Sequence, residues 1–152
     1  TDGTHFYAAC PTDGCAKKVI EDGPNQWRCE RCQRVFETCL HRYIMSMQVT
    51  DHSDAVWVNL FNEQAQTLLG RTADEMAVLA KSDREEYERV LRAPLHRQYS
   101  MRIRAKMENY NGEDKTRLNV IALQPLDPVK EGRFMAEQIK KVEQMFSVQL
   151  GY

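Results

Sequence analysis

Cys10–Cys32 reads CPTDGCAKKVIEDGPNQWRCERC. It holds two cysteine pairs, Cys10/Cys15 as C-x4-C and Cys29/Cys32 as C-x2-C, across a thirteen-residue spacer. Each short loop lets two thiolates turn back on one centre, and the spacer is long enough for a hairpin. Four thiolates suit a tetrahedral, soft-ligand metal site, of which zinc is the common occupant. Two disulfides or unlinked buried thiols would use the same residues, but paired knuckles beside polar turn residues favour the metal. Iron also accepts four thiolates, and spacing does not separate it from zinc. A four-cysteine shell leaves no open position for water or substrate, so one structural ion is expected. It would replace a hydrophobic core in a segment too short to have one, at on the order of 10 kcal/mol.

The 152 residues allow one ordinary domain plus this metal module. A hydrophobic content of 42% suffices for a core, and 28% charged residues argue against disorder. No apolar run approaches the roughly 20 residues that cross a bilayer, so no membrane partner is expected. No signal peptide is visible, and Thr1 reads as the cut start of a longer chain. Thiols committed to a metal point to a reducing compartment, cytosol or nucleus. The fifth cysteine, Cys39, is most simply a small core residue. A net charge of −1 does not advertise a nucleic-acid binder, so the placement of the charges matters more.

Working outward, residues 5–36 form the expected zinc ribbon. Lys17–Glu21 and Gln26–Arg28 read as its strands, joined by the turn signal Asp22-Gly23-Pro24. Cys39–Thr50 alternates, with Tyr43, Met45, Met47 and Val49 on one face and Arg42, Ile44, Ser46 and Gln48 on the other. Ala55–Phe61 alternates too, and both of its faces hold large residues. Trp57 and Phe61 are therefore either core on the far side of a sheet or a stacking platform. Asn62–Leu69 is helical and stops at Gly70. Thr72 with Glu75 and Ser82 with Glu85 match the S/T-x-x-E helix start, and the second helix runs over about Asp83–Arg92.

Arg97–Tyr110 places Tyr99, Met101, Ile103, Ala105 and Met107 on one face. Arg102, Arg104 and Lys106 alternate on the other, with Tyr110 at its end. Such a stripe can merely protect an edge, but cations interleaved with aromatics suit a nucleic acid better. Asn111-Gly112 signals a hairpin whose loop runs on through Asp114. Lys115–Leu123 returns as a strand with Leu118, Val120 and Ala122 on one side. After Pro125 and Pro128, Met135, Ile139, Val142, Phe146 and Leu150 recur at helical spacing. That helix either packs on its own domain or offers its seam to partner helices, and the two-proline hinge favours partners. The histidines and acidic residues form no catalytic constellation, so no enzyme is expected.

Strands, a helical interlude over 62–92 and further strands behind a ribbon describe an OB-fold over 37–124, with a helix over 129–150. At residue level, YAACPTDGCAKKVIEDGPNQWRCERCQRVF, VWVNLFNEQAQTLLG and RIRAKMENYNGEDKTRLNV strongly resemble the C-terminal DNA-binding domain of the large subunit of eukaryotic replication protein A, from about Phe6 to Val148. The resemblance implies a five-stranded barrel with a zinc ribbon inserted between its first two strands. It also implies single-stranded DNA binding in the nucleus, beside other DNA-binding domains of the same subunit. The final helix, through Met135, Ile139, Val142 and Phe146, would join the middle and small subunits in a three-helix bundle.

Carried over by residue, the resemblance makes Cys10, Cys15, Cys29 and Cys32 zinc ligands and Phe61 and Tyr110 stacking aromatics. Arg42, Arg104 and Lys106 would line the groove, with Trp57 nearby and Lys17 and Lys18 reaching from the ribbon. The family's first barrel strand precedes its ribbon, whereas few residues precede Cys10 here. That strand is therefore expected to be missing and a sheet edge to be left unpaired. A competing expectation is a protein–protein assembly module with incidental nucleic-acid contact. A zinc hydrolase is disfavoured by the closed shell.

Overall fold

The computed structural model describes residues 5–110 and 112–150, without the side chains of 110 and 147–150. The chain runs β1 (Phe6–Ala9), a ribbon of β2 (Ile20–Gly23), β3 (Gln26–Cys29) and β4 (Arg34–Phe36), then β5 (Leu40–Thr50) and β6 (Ala55–Phe61). Three helices follow, α1 (Asn62–Leu69), α2 (Ala73–Ser82) and α3 (Arg84–Arg92). Then come β7 (Tyr99–Tyr110), β8 (Glu113–Pro125) and α4 (Pro128–Leu150).

The large sheet has the order β1-β5-β6-β8-β7, and the ribbon forms its own sheet β2-β3-β4. Neighbours in the large sheet are antiparallel except β6 and β8, which run parallel at Asn59 and Asn119. This mixed five-stranded order with a helical interlude before its last two strands is an OB-fold, a partly open Greek-key barrel. The upstream strand expected to be missing is present. Phe6–Ala9 pairs with Leu40–Tyr43, so these residues belong to the large sheet and not to the ribbon. Four residues suffice because Phe6 packs on the core and Val19 N–H, from the ribbon, donates to Ala8 C=O at 2.9 Å.

Period-two alternation decides what is buried. Tyr43, Val58, Leu60 and Val120 point inward against Ala65, Leu69, Ala73, Met76, Tyr87 and Val90 of the helical layer. Met45, Met47 and Val49 extend that face along β5. The Tyr43 hydroxyl, buried with the ring, donates to Arg71 C=O at 2.9 Å, so no polar group is stranded. His41 ties the start of β5 to α2, its backbone N–H donating to Asp74 Oδ1 at 2.8 Å. Gly70 ends α1 in the left-handed conformation that glycine adopts without steric cost.

Several local expectations shift. The ribbon strand begins at Ile20 rather than Lys17, and Asp22 and Gly23 lie inside it; the turn falls on Pro24 and Asn25. A third ribbon strand, Arg34–Phe36, joins the two expected ones. Thr72 and Glu75 do form a capping box. Ser82, however, is the last residue of α2, its hydroxyl donating back to Val78 C=O, while Asp83 caps α3 through Glu86 N–H at 3.0 Å. A carboxylate one residue later competes better for the same helix start. The hairpin closes at once, with Tyr110 paired to Glu113, so no loop continues to Asp114.

A bulge matters most. Arg102 pairs with Ala122 but Ile103 with Val120, leaving Ile121 as an extra residue. The inward set of β8 therefore becomes Leu118, Val120 and Leu123, without Ala122. On β7 the predicted apolar face is covered only near its start, at Met101. From Ile103 onward it projects past the helical layer, and Met107 is 70% exposed.

Removing the Asp83 cap should lower folding stability by roughly 0.5–2 kcal/mol, whereas Ser82→Ala should stay within about 0.5 kcal/mol of wild type. Denaturant melts of Asp83→Ala and Ser82→Ala compare the two; the reverse order would restore Ser82 as the cap.

Candidate metal centre and nucleic-acid interface

The ribbon has almost no apolar core. Its buried cluster is Cys10, Cys15, Cys29 and Val19, flanked by Ala8, Trp27, Cys32, Phe36 and Cys39. The left-handed residues Ala16 and Gln33 directly follow the second cysteine of each pair and fold each knuckle back on itself. As a result the four Sγ atoms of Cys10, Cys15, Cys29 and Cys32 lie within 4.8 Å of one another. The Cys10–Cys32 and Cys15–Cys29 separations are both 3.8 Å, and Cys15–Cys32 is 3.4 Å. Sulfurs at about 2.3 Å from a tetrahedral centre stand about 3.8 Å apart, so the set fits a four-coordinate ion. All five cysteines are unbridged.

The electrostatics agree. Burial raises the Cys10 thiol, but hydrogen bonds from Thr12, Cys29 and Cys15 outweigh it and bring it down to about 7. Bonding to Cys15, followed by burial, pushes Cys32 up to about 12. Without a cation the sulfurs share protons; all four become thiolates only around a positive centre. These residues could hold a metal ion, and Cys39 stands outside the set.

The outer face of the large sheet is a second assembly. Register pairs Ile44 with Phe61, Ser46 with Asn59 and Gln48 with Trp57 across β5 and β6. Inward Val58 and Leu60 force Trp57 and Phe61 outward, where they are 65% and 47% exposed, so they are not core. Ser46 Oγ donates to Asn59 Oδ1 at 2.8 Å, and Asn59 Nδ2 donates to Asn119 Oδ1 at 3.1 Å. Asn119 in turn pairs with Arg104, and Arg117 with Lys106. One polar row thus crosses from β5 to the cations of β7.

Arg42, half-buried, sits at the other end opposite Tyr7 of β1. The Tyr7 hydroxyl donates to Ala16 C=O at 3.0 Å, joining this edge to the ribbon beside Lys17. Lys17 and Lys18 are exposed on the ribbon, and Lys18 bridges Ala9 through its backbone. No bond among the described residues links either lysine side chain to the sheet face. The Tyr110 side chain lies outside the described residues.

Sequence reasoning passed over Tyr7, Asn119 and Arg117 as members of this face. The alternation of Lys115–Leu123 already placed Arg117 and Asn119 opposite Leu118 and Val120, so that signal was present. On α4, Met135, Ile139, Val142 and Phe146 are all exposed, as are Val129, Phe134 and Met145. An open depression of about 470 Å³ along α3 is lined by Glu85, Glu88, Arg89, Arg92 and Ala93. Glu88, Arg89 and Arg92 pair within the helix, Arg92 to Glu88 at 3.4 Å, and the depression lies apart from both assemblies.

A family model described as the replication factor-A C-terminal domain matches residues 1–135. The chain belongs to this family. It is 34% identical over 90% of its length to the 70 kDa DNA-binding subunit of replication protein A from Mus musculus, covering 22% of that protein. The corresponding figures for a 70 kDa DNA-binding subunit from Oryza sativa subsp. japonica are 34%, 90% and 21%. For one from Arabidopsis thaliana they are 38%, 91% and 22%. The chain thus spans about a fifth of these family members. Among solved structures, a replication protein A heterotrimer bound to ssDNA superposes with a TM-score of 0.83 at 34% identity, over 91% of this chain and 32% of that one. Yeast replication protein A bound to ssDNA superposes at 0.82 and 30% identity, over 93% and 80%.

Cys29→Ser should lose the metal and melt the ribbon, while Cys39→Ser should keep both. Metal analysis beside a thermal melt reads this out; a wild-type chain holding well under one ion would sink the centre.

Proposed function

We propose that this domain binds single-stranded DNA with little sequence preference, as part of a heterotrimeric replication and repair protein in the nucleus. The observation that carries the proposal is the outward placement of Trp57 and Phe61 beside a row of cations that includes Arg104 and Lys106. Flat rings accept any base face and cations follow the phosphates, so binding needs no base code. Phe61 is the principal stacking residue, with Tyr110 at the hairpin end and Trp57 beside it. Arg42, Arg104 and Lys106 hold phosphates, with Lys17 and Lys18 contributing from the ribbon. The ion held by Cys10, Cys15, Cys29 and Cys32 is zinc, and it serves structure by clipping the ribbon between β1 and β5. No chemistry on the strand is proposed; a nuclease assay with added zinc tests that point.

The exposed α4 seam supports assembly as a second role. Met135, Ile139, Val142 and Phe146 would pack against helices of the middle and small subunits. The domain would sit beside other DNA-binding domains of its own large subunit, and assembly with other subunits is supported by the similar heterotrimer bound to ssDNA. A module devoted to assembly alone would show no salt-dependent binding of a single strand, whereas phosphate contacts release counterions and lose affinity steeply as salt rises.

Phe61→Ala should weaken binding of a labelled single strand by about 1–3 kcal/mol, with Trp57→Ala smaller, at unchanged melting temperature. Fluorescence anisotropy at two salt concentrations checks both; wild-type affinity in Phe61→Ala would remove its role. Replacing Ile139 and Val142 together by Asp should abolish capture of the middle and small subunits while sparing DNA binding. Co-expression followed by size-exclusion chromatography decides it.

A further inference from the structure

The face that carries the cations also carries an anion. Glu108 stands two residues beyond Lys106 on β7 and opposite Lys115 on β8. Its Oε1 lies 3.1 Å from Lys106 Nζ, and its Oε2 lies 2.8 Å from Arg117 Nε. The β7–β8 register sets Lys106 and Arg117 side by side, and one carboxylate spans both. The hydrogen bond from Lys106 outweighs the opposing effect of burial and, with the charges of Arg117 and Lys106, holds the Glu108 carboxyl below the usual range. It is therefore ionised at neutral pH. Further along the row, Arg102 and Arg104 have no ion-pair partner among the described residues, so the stripe has an open part and an occupied part.

Resting on the single-strand function above, we propose that Glu108 competes with the phosphates of a bound strand for Lys106 and Arg117, and that Arg117 is a further phosphate-binding residue. A phosphate that docks on these two cations meets a carboxylate already using the same N–H groups, and the two anions repel. Exposed ion pairs of this kind are weak, so a strand displaces Glu108 instead of being shut out. Contact at this end of the face is thereby loosened, while Arg102 and Arg104 stay available throughout.

The rival outcome is that Glu108 holds the two cations in the geometry that a phosphate needs. The two roles predict opposite signs. If Glu108 competes, Glu108→Gln should tighten binding of a fluorescein-labelled oligothymidylate roughly threefold to tenfold at low salt. The slope of log affinity against log salt should also steepen by about 0.7 for each phosphate newly engaged. The gain should vanish in a Lys106→Ala/Arg117→Ala background. Glu85→Gln, which makes the same change in net charge on α3, should leave affinity near wild type.

Equal or weaker binding by Glu108→Gln would overturn the inference, as would a gain matched by Glu85→Gln or one surviving loss of both cations. Thermal melts of each variant confirm that folding is intact. Wild-type chain that shows no salt-dependent binding overturns the single-strand function and this inference together. Wild-type binding with an unmoved Glu108→Gln overturns the inference alone.

Discussion

The pairing of β5 with β6, running from Ile44 opposite Phe61 to Thr50 opposite Ala55, is the constraint on which the rest hangs. Side chains on a strand alternate, so sending Val58 and Leu60 into the core leaves Trp57, Asn59 and Phe61 no choice but the outside. The same pairing brings Tyr43 under the helical layer and Arg42, Ile44, Ser46 and Gln48 onto the outer face. A slip of one residue would exchange the two sets and place a tryptophan where Met76 and Tyr87 now pack. Burial of a dense apolar cluster therefore holds the exposed rings in place, although those rings contribute little to that cluster themselves.

The cysteine ribbon meets this sheet at one edge. With four sulfurs and a valine at its middle, the ribbon has too little apolar surface to be held by hydrophobic burial, and its sulfurs, which share protons without a cation, all become thiolates only around a positive centre. Closed, it keeps Val19 against Ala8 and Ala16 against Tyr7, and so secures the short strand that completes the sheet. The ribbon and the outer face of the sheet are thus linked through β1 in these contacts, and no cysteine lies on that face.

Much of this was legible beforehand because its signals are local. Cysteine spacing picked out the four residues whose sulfurs cluster, strict alternation over Ala55–Phe61 delimited β6 to the residue, and Thr72 with Glu75 marked the start of α2. Misreadings arose where two local signals competed or where a distant partner intervened. Ser82 and Asp83 both offer a cap, and adjacent residues are not ranked by pattern. The bulge at Ile121 reverses the alternation of β8 partway along, and nothing in Leu118–Leu123 announces it. The few residues before Cys10 argue against β1, yet a strand needs a neighbour more than it needs length.

By its order of residues alone, the chain determined which four cysteines cluster, the strand and helix types and the family to which it belongs, since each rests on spacing within a few residues or on motif content. The tertiary structure alone decided which of two large-residue faces on β6 is buried. It also decided how far β7 stays covered, and that Glu108 reaches Lys106 and Arg117 together. Those outcomes depend on register between strands distant in sequence and on where the helical layer stops, and neither is encoded in any single stretch.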